Sequence, residues 1–146
     1  DTDERALVER SAALADVDDN IREFANGYDT VLGERGVTVS GGQKQRISIA
    51  RALMKEAAIL ILDDSVSAVD TDTERVILDN LRQTRKGKTT LLVAHRVTTV
   101  QNLDKIVYLD GGKVLDVGTH EQLVARCAEY RNMVELQKLD EEEDNA

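Results

Sequence analysis

The chain has 146 residues, enough for one domain or a large part of one. Hydrophobic residues make up 41% of it, which is typical of folded globular proteins and excludes an intrinsically disordered chain. The formal net charge of −9 argues against nonspecific binding of nucleic acid through a broad basic face, so we expect no nucleic-acid partner.

The first 27 residues read as two short helices. Asp1 and Glu4 have the spacing of a capping box, and Gly27 is predicted to end the second helix. A polar loop punctuated by glycine follows. The next helix is predicted to begin after Ser40, which forms a second capping-box pair with Gln43.

The rest of the chain alternates between strands and helices, which predicts an α/β fold with a parallel sheet and crossover helices. The continuous apolar run at residues 57–62 predicts a strand that is buried on both faces. The elements predicted after it are a helix capped by Thr71 and Glu74, a strand at 89–94, a short helical turn, a strand at 105–109, a tight turn at 110–112, a strand at 113–118, and a helix from Thr119 and Gln122 to about Leu139, followed by a solvated, frayed acidic tail at 140–146.

The sequence Gly87-Lys88-Thr89-Thr90 has the last letters of a phosphate-binding P-loop. A P-loop needs a glycine five residues before the lysine's glycine, and that position is Arg82. It also opens a helix, whereas a β-rich run follows Lys88. We therefore interpret the segment as a solvated basic turn before a strand. No complete P-loop pattern occurs elsewhere in the chain.

Asp63 and Asp64 stand side by side at the end of an apolar strand, the edge where open α/β sheets bind ligands. Asp63 is a candidate ligand of Mg²⁺, and Asp64 a candidate to orient or polarise an attacking water. The alternative is that both merely cap a helix or a turn.

Ser40-Gly41-Gly42-Gln43 precedes a helix, where unpaired N–H groups and the helix dipole favour a phosphate. An ordinary cap would account for Ser40 and Gln43 but not for two glycines in the first turn, each of which costs up to about 1 kcal/mol. His95, at the end of the second predicted strand, is a candidate partner of a γ-phosphate or of the attacking water.

In this order the motifs resemble the second half of an ABC-type ATPase domain. Residues 40–43 are similar to the signature loop, "ILILDD" to the Walker B strand, residues 67–70 to the D-loop, and His95 to the switch histidine. The segment from Gly27 to Gly36, "GYDTVLGERG", looks like the stretch that contacts the coupling helices in exporters.

The resemblance implies a partial P-loop NTPase core and part of the helical subdomain, with the Walker A half lying upstream. We place the helical part at 1–56 and the core at 57–139. It further implies an ATP-hydrolysing enzyme that uses ATP and Mg²⁺, pairs with a second ATPase domain, and lies at the cytoplasmic face of the cell membrane beside a transmembrane domain. Residues 40–43 would contact the partner's ATP, and Asp70 would report across the interface. We expect the isolated chain to be inactive.

One position departs from the family pattern, which has Glu where this chain has Asp64. The shorter carboxylate resembles the degenerate-site half of a heterodimeric exporter. Two alternatives stay open: a soluble ABC-type ATPase without a transport role, and a non-catalytic interaction module. The acidic charge and the exporter-like segment disfavour the soluble ATPase.

Overall fold

The computed structural model describes residues 2–33 and 38–144. The chain forms two compact units, residues 1–93 and residues 94–146. The predicted divisions after residues 56 and 139 remain predictions. The first unit contains α1 (Thr2–Leu14), α2 (Asp18–Arg22), a 3₁₀ turn (Gly27–Asp29), α3 (Gly41–Leu53), β1 (Ile59–Asp63), α4 (Thr71–Thr84) and β2 (Thr89–Val93).

The two helices predicted for the N-terminal segment are confirmed as α1 and α2. The predicted role of Gly27 is wrong, because α2 ends at Arg22 and Gly27 instead begins the 3₁₀ turn with a φ of 51°. A positive φ is easy for glycine, which explains the residue at this place. Asp1 lies outside the described residues, so its capping box with Glu4 stays a prediction.

Helix α3 begins as predicted. The Gln43 N–H donates to Ser40 Oγ over 3.1 Å, and the Ser40 N–H donates to Gln43 Oε1 over 2.9 Å, which completes the capping box. Its inward face buries Ile49 and Leu53 in the core of the first unit.

Strands β1 and β2 pair in parallel, with Ile59 opposite Thr89 and Asp63 opposite Val93, and α4 is the crossover helix between them. The predicted cap of α4 by Thr71 is wrong. The N-cap residue is Asp70, whose Oδ1 accepts the Thr73 N–H over 3.0 Å.

Only one face of β1 is buried in this chain. Leu60 and Leu62 lie in the core with side chains from α1, α3 and α4, whereas Ile59 and Ile61 are each 62% exposed. The prediction of burial on both faces is therefore wrong here. The continuous apolar run is typical of a strand covered on both sides, but the described helices of this unit contribute to one face.

The turn before β2 is confirmed, and Gly87 takes a positive φ of 79° within it. Its description as solvated is wrong for Arg85, which is 8% exposed. The Arg85 guanidinium donates to the carbonyls of Ala57 and Thr89 and to Thr90 Oγ1. This cation therefore ties the starts of the two parallel strands together.

The second unit is built on an antiparallel hairpin and three helices. Gly111 and Gly112, with φ of 55° and 75°, form the predicted tight turn. The Thr119–Gln122 capping box is confirmed, but the helix breaks at Cys127 and then continues beyond residue 139, so the described part of the predicted frayed tail is helical. The elements are α5 (Val97–Val100), β3 (Ile106–Asp110), β4 (Lys113–Gly118), α6 (His120–Arg126) and α7 (Ala128–Asp144).

Candidate functional site

Four of the predicted ATP-contacting residues form the start of α3. Ser40 and Gly41 are exposed, and Gly42 and Gln43 are partly exposed. Helix geometry leaves the N–H groups of Gly41 and Gly42 without an acceptor inside the helix. Ser40 Oγ accepts the Gln43 N–H, so its hydroxyl proton remains able to donate to a ligand. The turn thus offers N–H and O–H donors at the positive end of a 13-residue helix.

Gly42 also has a packing reason to be glycine. A Cβ at this position would lie 2.8 Å from the carbonyl oxygen of Ala68, closer than real Cβ contacts allow. At Gly41 a Cβ would meet the Ala68 Cβ at 3.5 Å, an ordinary contact. The start of α3 therefore lies directly against residues 64–70, which we call the β1 loop. Both glycines were expected to serve phosphate access, but packing alone accounts for Gly42.

Gln45 joins the same two elements, and sequence reasoning missed it. Its Nε2 donates to the Asp64 carbonyl over 3.1 Å and to Ser67 Oγ over 2.9 Å, while its Oε1 accepts the Ala68 N–H over 2.9 Å. One side-chain amide thus serves three groups of the β1 loop. Its position two residues after Gln43 was the only signal in the sequence, and that position does not identify the groups to which Gln45 bonds.

Asp63 and Asp64 lie together and exposed at the carboxyl end of β1. Asp64 has a φ of 49°, in the left-handed region that aspartate tolerates better than most residues. The Asp64 N–H donates to the carbonyl of Val93, and Ser65 and Ser67 return hydrogen bonds to the carbonyls of Asp63 and Asp64. These local bonds fold the chain back and hold both carboxylates at the sheet edge.

The carboxylates suit Mg²⁺ only if a nucleotide supplies further ligands to the ion. Within residues 2–33 and 38–144, no group of three or more His, Cys, Asp or Glu side chains is placed to hold a metal ion. Mg²⁺ commonly keeps several waters and takes one or two carboxylates together with substrate phosphates. Asp63 therefore fits as a single protein ligand to a nucleotide-bound Mg²⁺.

Asp70 closes the β1 loop as the cap of α4. The backbone hydrogen bond from Thr73 is the main cause that lowers the pKa of the Asp70 carboxyl below its ordinary value. The capping role is thus visible in the geometry, whereas a role across a dimer interface stays a prediction.

His95 belongs to the second unit, where it is exposed within residues 94–96, which we call the β2 loop. Gln137 of α7 holds this loop at two points. Its Nε2 donates to the His95 carbonyl over 2.8 Å, and its Oε1 accepts the Val97 N–H over 2.7 Å. The bonds fix the backbone that carries the imidazole. Sequence reasoning missed Gln137, which lies 42 residues away from His95.

The described part of the segment from residue 27 to residue 36 is anchored by Tyr28. The Tyr28 hydroxyl donates to Asp18 Oδ1 over 2.5 Å, and the guanidinium carbon of Arg5 lies 4.7 Å from the ring centre. Desolvation, followed by the bond to Asp18, raises the pKa of Tyr28. Beyond this anchor Val31 is 72% exposed. Tyr28 also lines a cavity of about 160 Å³, together with Phe24, Leu32 and Met54 among others. Residues 34–36 lie outside the described part.

Sequence comparisons relate the chain to membrane exporters. The ABC transporter family model matches residues 2–67. A probable multidrug resistance ABC transporter ATP-binding/permease protein of Bacillus subtilis is 48% identical over 132 residues, which are 90% of this chain and 23% of that protein. An ATP-dependent lipid A-core flippase of Alkalilimnicola ehrlichii is 45% identical over 90% of this chain and 22% of its own length.

A solved structure supports the same relationship. A bacterial Atm1-family ABC exporter with ATP bound superposes with a TM-score of 0.86 and 42% identity over 91% of this chain and 24% of that chain. The chain therefore spans about a quarter or less of the relatives that it matches. Among the described helices, none combines the length and the apolar character needed to cross a bilayer.

Proposed function

Since the chain belongs to the ABC transporter family, we propose that it is part of the ATP-binding subunit of an exporter and couples ATP binding and hydrolysis at a dimer interface to transport. The observation that carries this proposal is the close packing of the start of α3 on the β1 loop, through Gly42, Gln45 and Ala68. The turn at residues 40–43 suits a partner's phosphate, and the end of β1 suits the chain's own nucleotide. This contact joins the two into one structural element.

Each predicted site residue then has a role. Residues 40–43 donate N–H and O–H groups to the γ-phosphate of an ATP bound by a second ATPase domain. Asp63 holds Mg²⁺, which offsets the charge of the phosphates. Asp64 and His95 orient the attacking water. Asp70 lies at the dimer interface while it caps α4.

The short carboxylate of Asp64 supports the degenerate-site half of a heterodimeric exporter. Replacing Glu by Asp withdraws the carboxylate by one methylene, and a misplacement of about 1 Å can cost about 100-fold in rate. The intact residues 40–43 then serve the competent site that the partner carries.

The partners follow from the same placement. A transmembrane domain contacts the segment from residue 27 to residue 36, where exposed Val31 and the apolar cavity beside Leu32 offer a surface for apolar side chains. The chain then lies at the cytoplasmic face of the cell membrane.

A chimera tests the proposal. The matching 132 residues of the Bacillus subtilis relative are replaced by this chain, and Mg²⁺-dependent release of phosphate from ATP is measured in membranes or detergent. We expect slow hydrolysis that Gly41→Arg abolishes, because a large cation fills the turn that must meet the partner's phosphate. Lys44→Arg, on the exposed side of the same helix, is the matched control and retains the rate.

Asp64→Glu in the same chimera tests the degenerate site. We expect hydrolysis to rise by up to about 100-fold, with the Mg²⁺ requirement unchanged. Equal rates for Asp64 and Glu at this position would contradict the degenerate site, and a fully active Gly41→Arg chimera would contradict the role of residues 40–43.

A further inference from the structure

We propose that Gln137 of α7 is the positioning residue of His95, so that the C-terminal helix sets the backbone from which the imidazole reaches the reacting phosphate. The inference deepens the proposed function, on which its catalytic meaning rests. It is drawn from the hydrogen bonds of the second unit alone.

The bonding pattern of the Gln137 amide is specific. Its N–H group donates to the carbonyl of His95, and its oxygen accepts the N–H of Val97. Both ends of the amide are therefore used on one short stretch of backbone. Because the acceptor is the main chain of His95 itself, the bond fixes the peptide plane that orients the Cα–Cβ direction of this residue.

The second bond also begins a helix. Val97 is the first residue of α5, and its N–H has no acceptor within the helix. The preceding residue, Arg96, has a side chain with donors only and cannot supply one. Gln137 therefore caps α5 from a distant part of the chain, and the loop carrying His95 ends where that cap begins.

The register of α7 explains why Gln137 reaches this loop. Tyr130 and Val134, four residues apart, are 1% and 5% exposed and belong to the same buried cluster as Val97. Gln137 comes three residues after Val134, on the same face of the helix. Gln137 thus lies at the edge of the apolar face of α7, and its polar side chain reaches the β2 loop.

The chain contains its own internal control. Its two histidines are His95 and His120, and His120 Nδ1 lies 2.9 Å from the hydroxyl of Tyr130 on α7. The signal of His120 therefore reports whether α7 remains docked, while that of His95 reports the loop. A loss of docking would disturb both histidines, whereas a loss of positioning would disturb His95 alone.

The test uses the 146-residue chain with labelled histidines, observed by NMR. In Gln137→Leu we expect the ring signal of His95 to shift or broaden and the Val97 amide to exchange roughly tenfold faster, with His120 unchanged. In Gln137→Glu the carboxylate still accepts from Val97 but cannot donate to His95, so His95 shifts while Val97 stays protected. Lys138→Leu, at the neighbouring exposed position, leaves all three signals unchanged.

Two results would overturn the inference. One is an unchanged His95 signal in both Gln137 variants. The other is a joint change of His95 and His120 in both, which would make Gln137 a residue that docks α7 rather than one that positions His95. If Gln137→Leu does not fold, the Gln137→Glu variant decides.

In the chimera described above, Gln137→Leu is expected to lower kcat roughly tenfold while KM changes by less than about twofold. A tenfold rise in KM instead would indicate a binding role and contradict positioning of the water. If the parent chimera hydrolyses no ATP, the proposed function fails, yet the histidine signals still decide whether Gln137 positions His95.

Discussion

The β1 loop and the β2 loop follow two paired parallel strands, and each is held by a glutamine from a helix. They differ in the kind of contact that the described residues show. The β1 loop has the backbone contact with Gly42, the Asp70 cap and several internal hydrogen bonds besides Gln45. In the β2 loop, the amide of Gln137 from α7 bonds to the His95 carbonyl and to the Val97 N–H.

The difference is between packing of main-chain atoms, seen at the β1 loop, and bonding by a side-chain amide, seen at the β2 loop. Loss of Gln45 leaves the β1 loop packed against α3 through the close approach of Gly42 to the Ala68 carbonyl. Loss of Gln137 removes the two bonds that its amide makes to the backbone around His95. We therefore expect the carboxylates to tolerate the loss of Gln45 better than His95 tolerates the loss of Gln137.

The largest effect is expected from Gly42→Ala. A methyl group would overlap the Ala68 carbonyl at 2.8 Å, so α3 or the β1 loop must shift, and we expect the free energy of unfolding in urea to fall by about 1–3 kcal/mol. Gly41→Ala is the matched control. Its methyl group has room, and helix propensity should leave the stability unchanged or raise it by up to about 1 kcal/mol. Equal effects of the two substitutions would contradict the close contact.

A smaller effect is expected from Gln45→Leu. The three groups that it releases lie at the surface, where water replaces most of the lost bonding, so the free energy of unfolding should fall by only about 1 kcal/mol. Hydrogen exchange should accelerate at Ala68 while residues further along the loop keep their protection. Lys44→Leu serves as the control. If the whole β1 loop lost protection, Gln45 rather than Gly42 would be its main anchor.

The smallest expected effect is a difference in pH dependence between the helix cap at Asp70 and the cap that Gln137 provides. The lowered pKa of Asp70 means that its cap contributes fully above the ordinary carboxyl pKa of about 3.9 and is lost as the pH falls through the lowered value. Exchange at the Thr73 amide should therefore accelerate in acid relative to its intrinsic rate, whereas Val97, capped by the neutral amide of Gln137, should show no such change.

Asp70→Asn is the matched variant for this comparison. Asparagine caps helices as well as aspartate does but does not titrate, so Thr73 should keep its protection in acid. An acid response of the same size in wild type and variant would locate the titrating group elsewhere.

Local patterns in the sequence were enough for much of the fold. The capping boxes at Ser40 and Thr119 and the glycine turn at residues 110–112 appear where they were predicted, because each depends on a few neighbouring residues. The α/β class and a parallel sheet with crossover helices also followed from the alternation of apolar runs and helices, and β1 and β2 pair in parallel. The motif order pointed to the ABC transporter family, which the comparisons support.

Only the tertiary structure decided which distant groups meet. Gln45 and Gln137 bond to backbone groups 19 to 42 residues away, and an amide side chain has no periodicity that would name its partner. The same holds for Gly42. A Cβ is excluded at this position by the Ala68 carbonyl, which belongs to the β1 loop, and not by the helix that contains Gly42. Ile59 and Ile61 show the same limit for burial. Their apolar character predicts a strand that is covered on both faces, but whether a face is covered depends on which elements pack against it in the assembled fold.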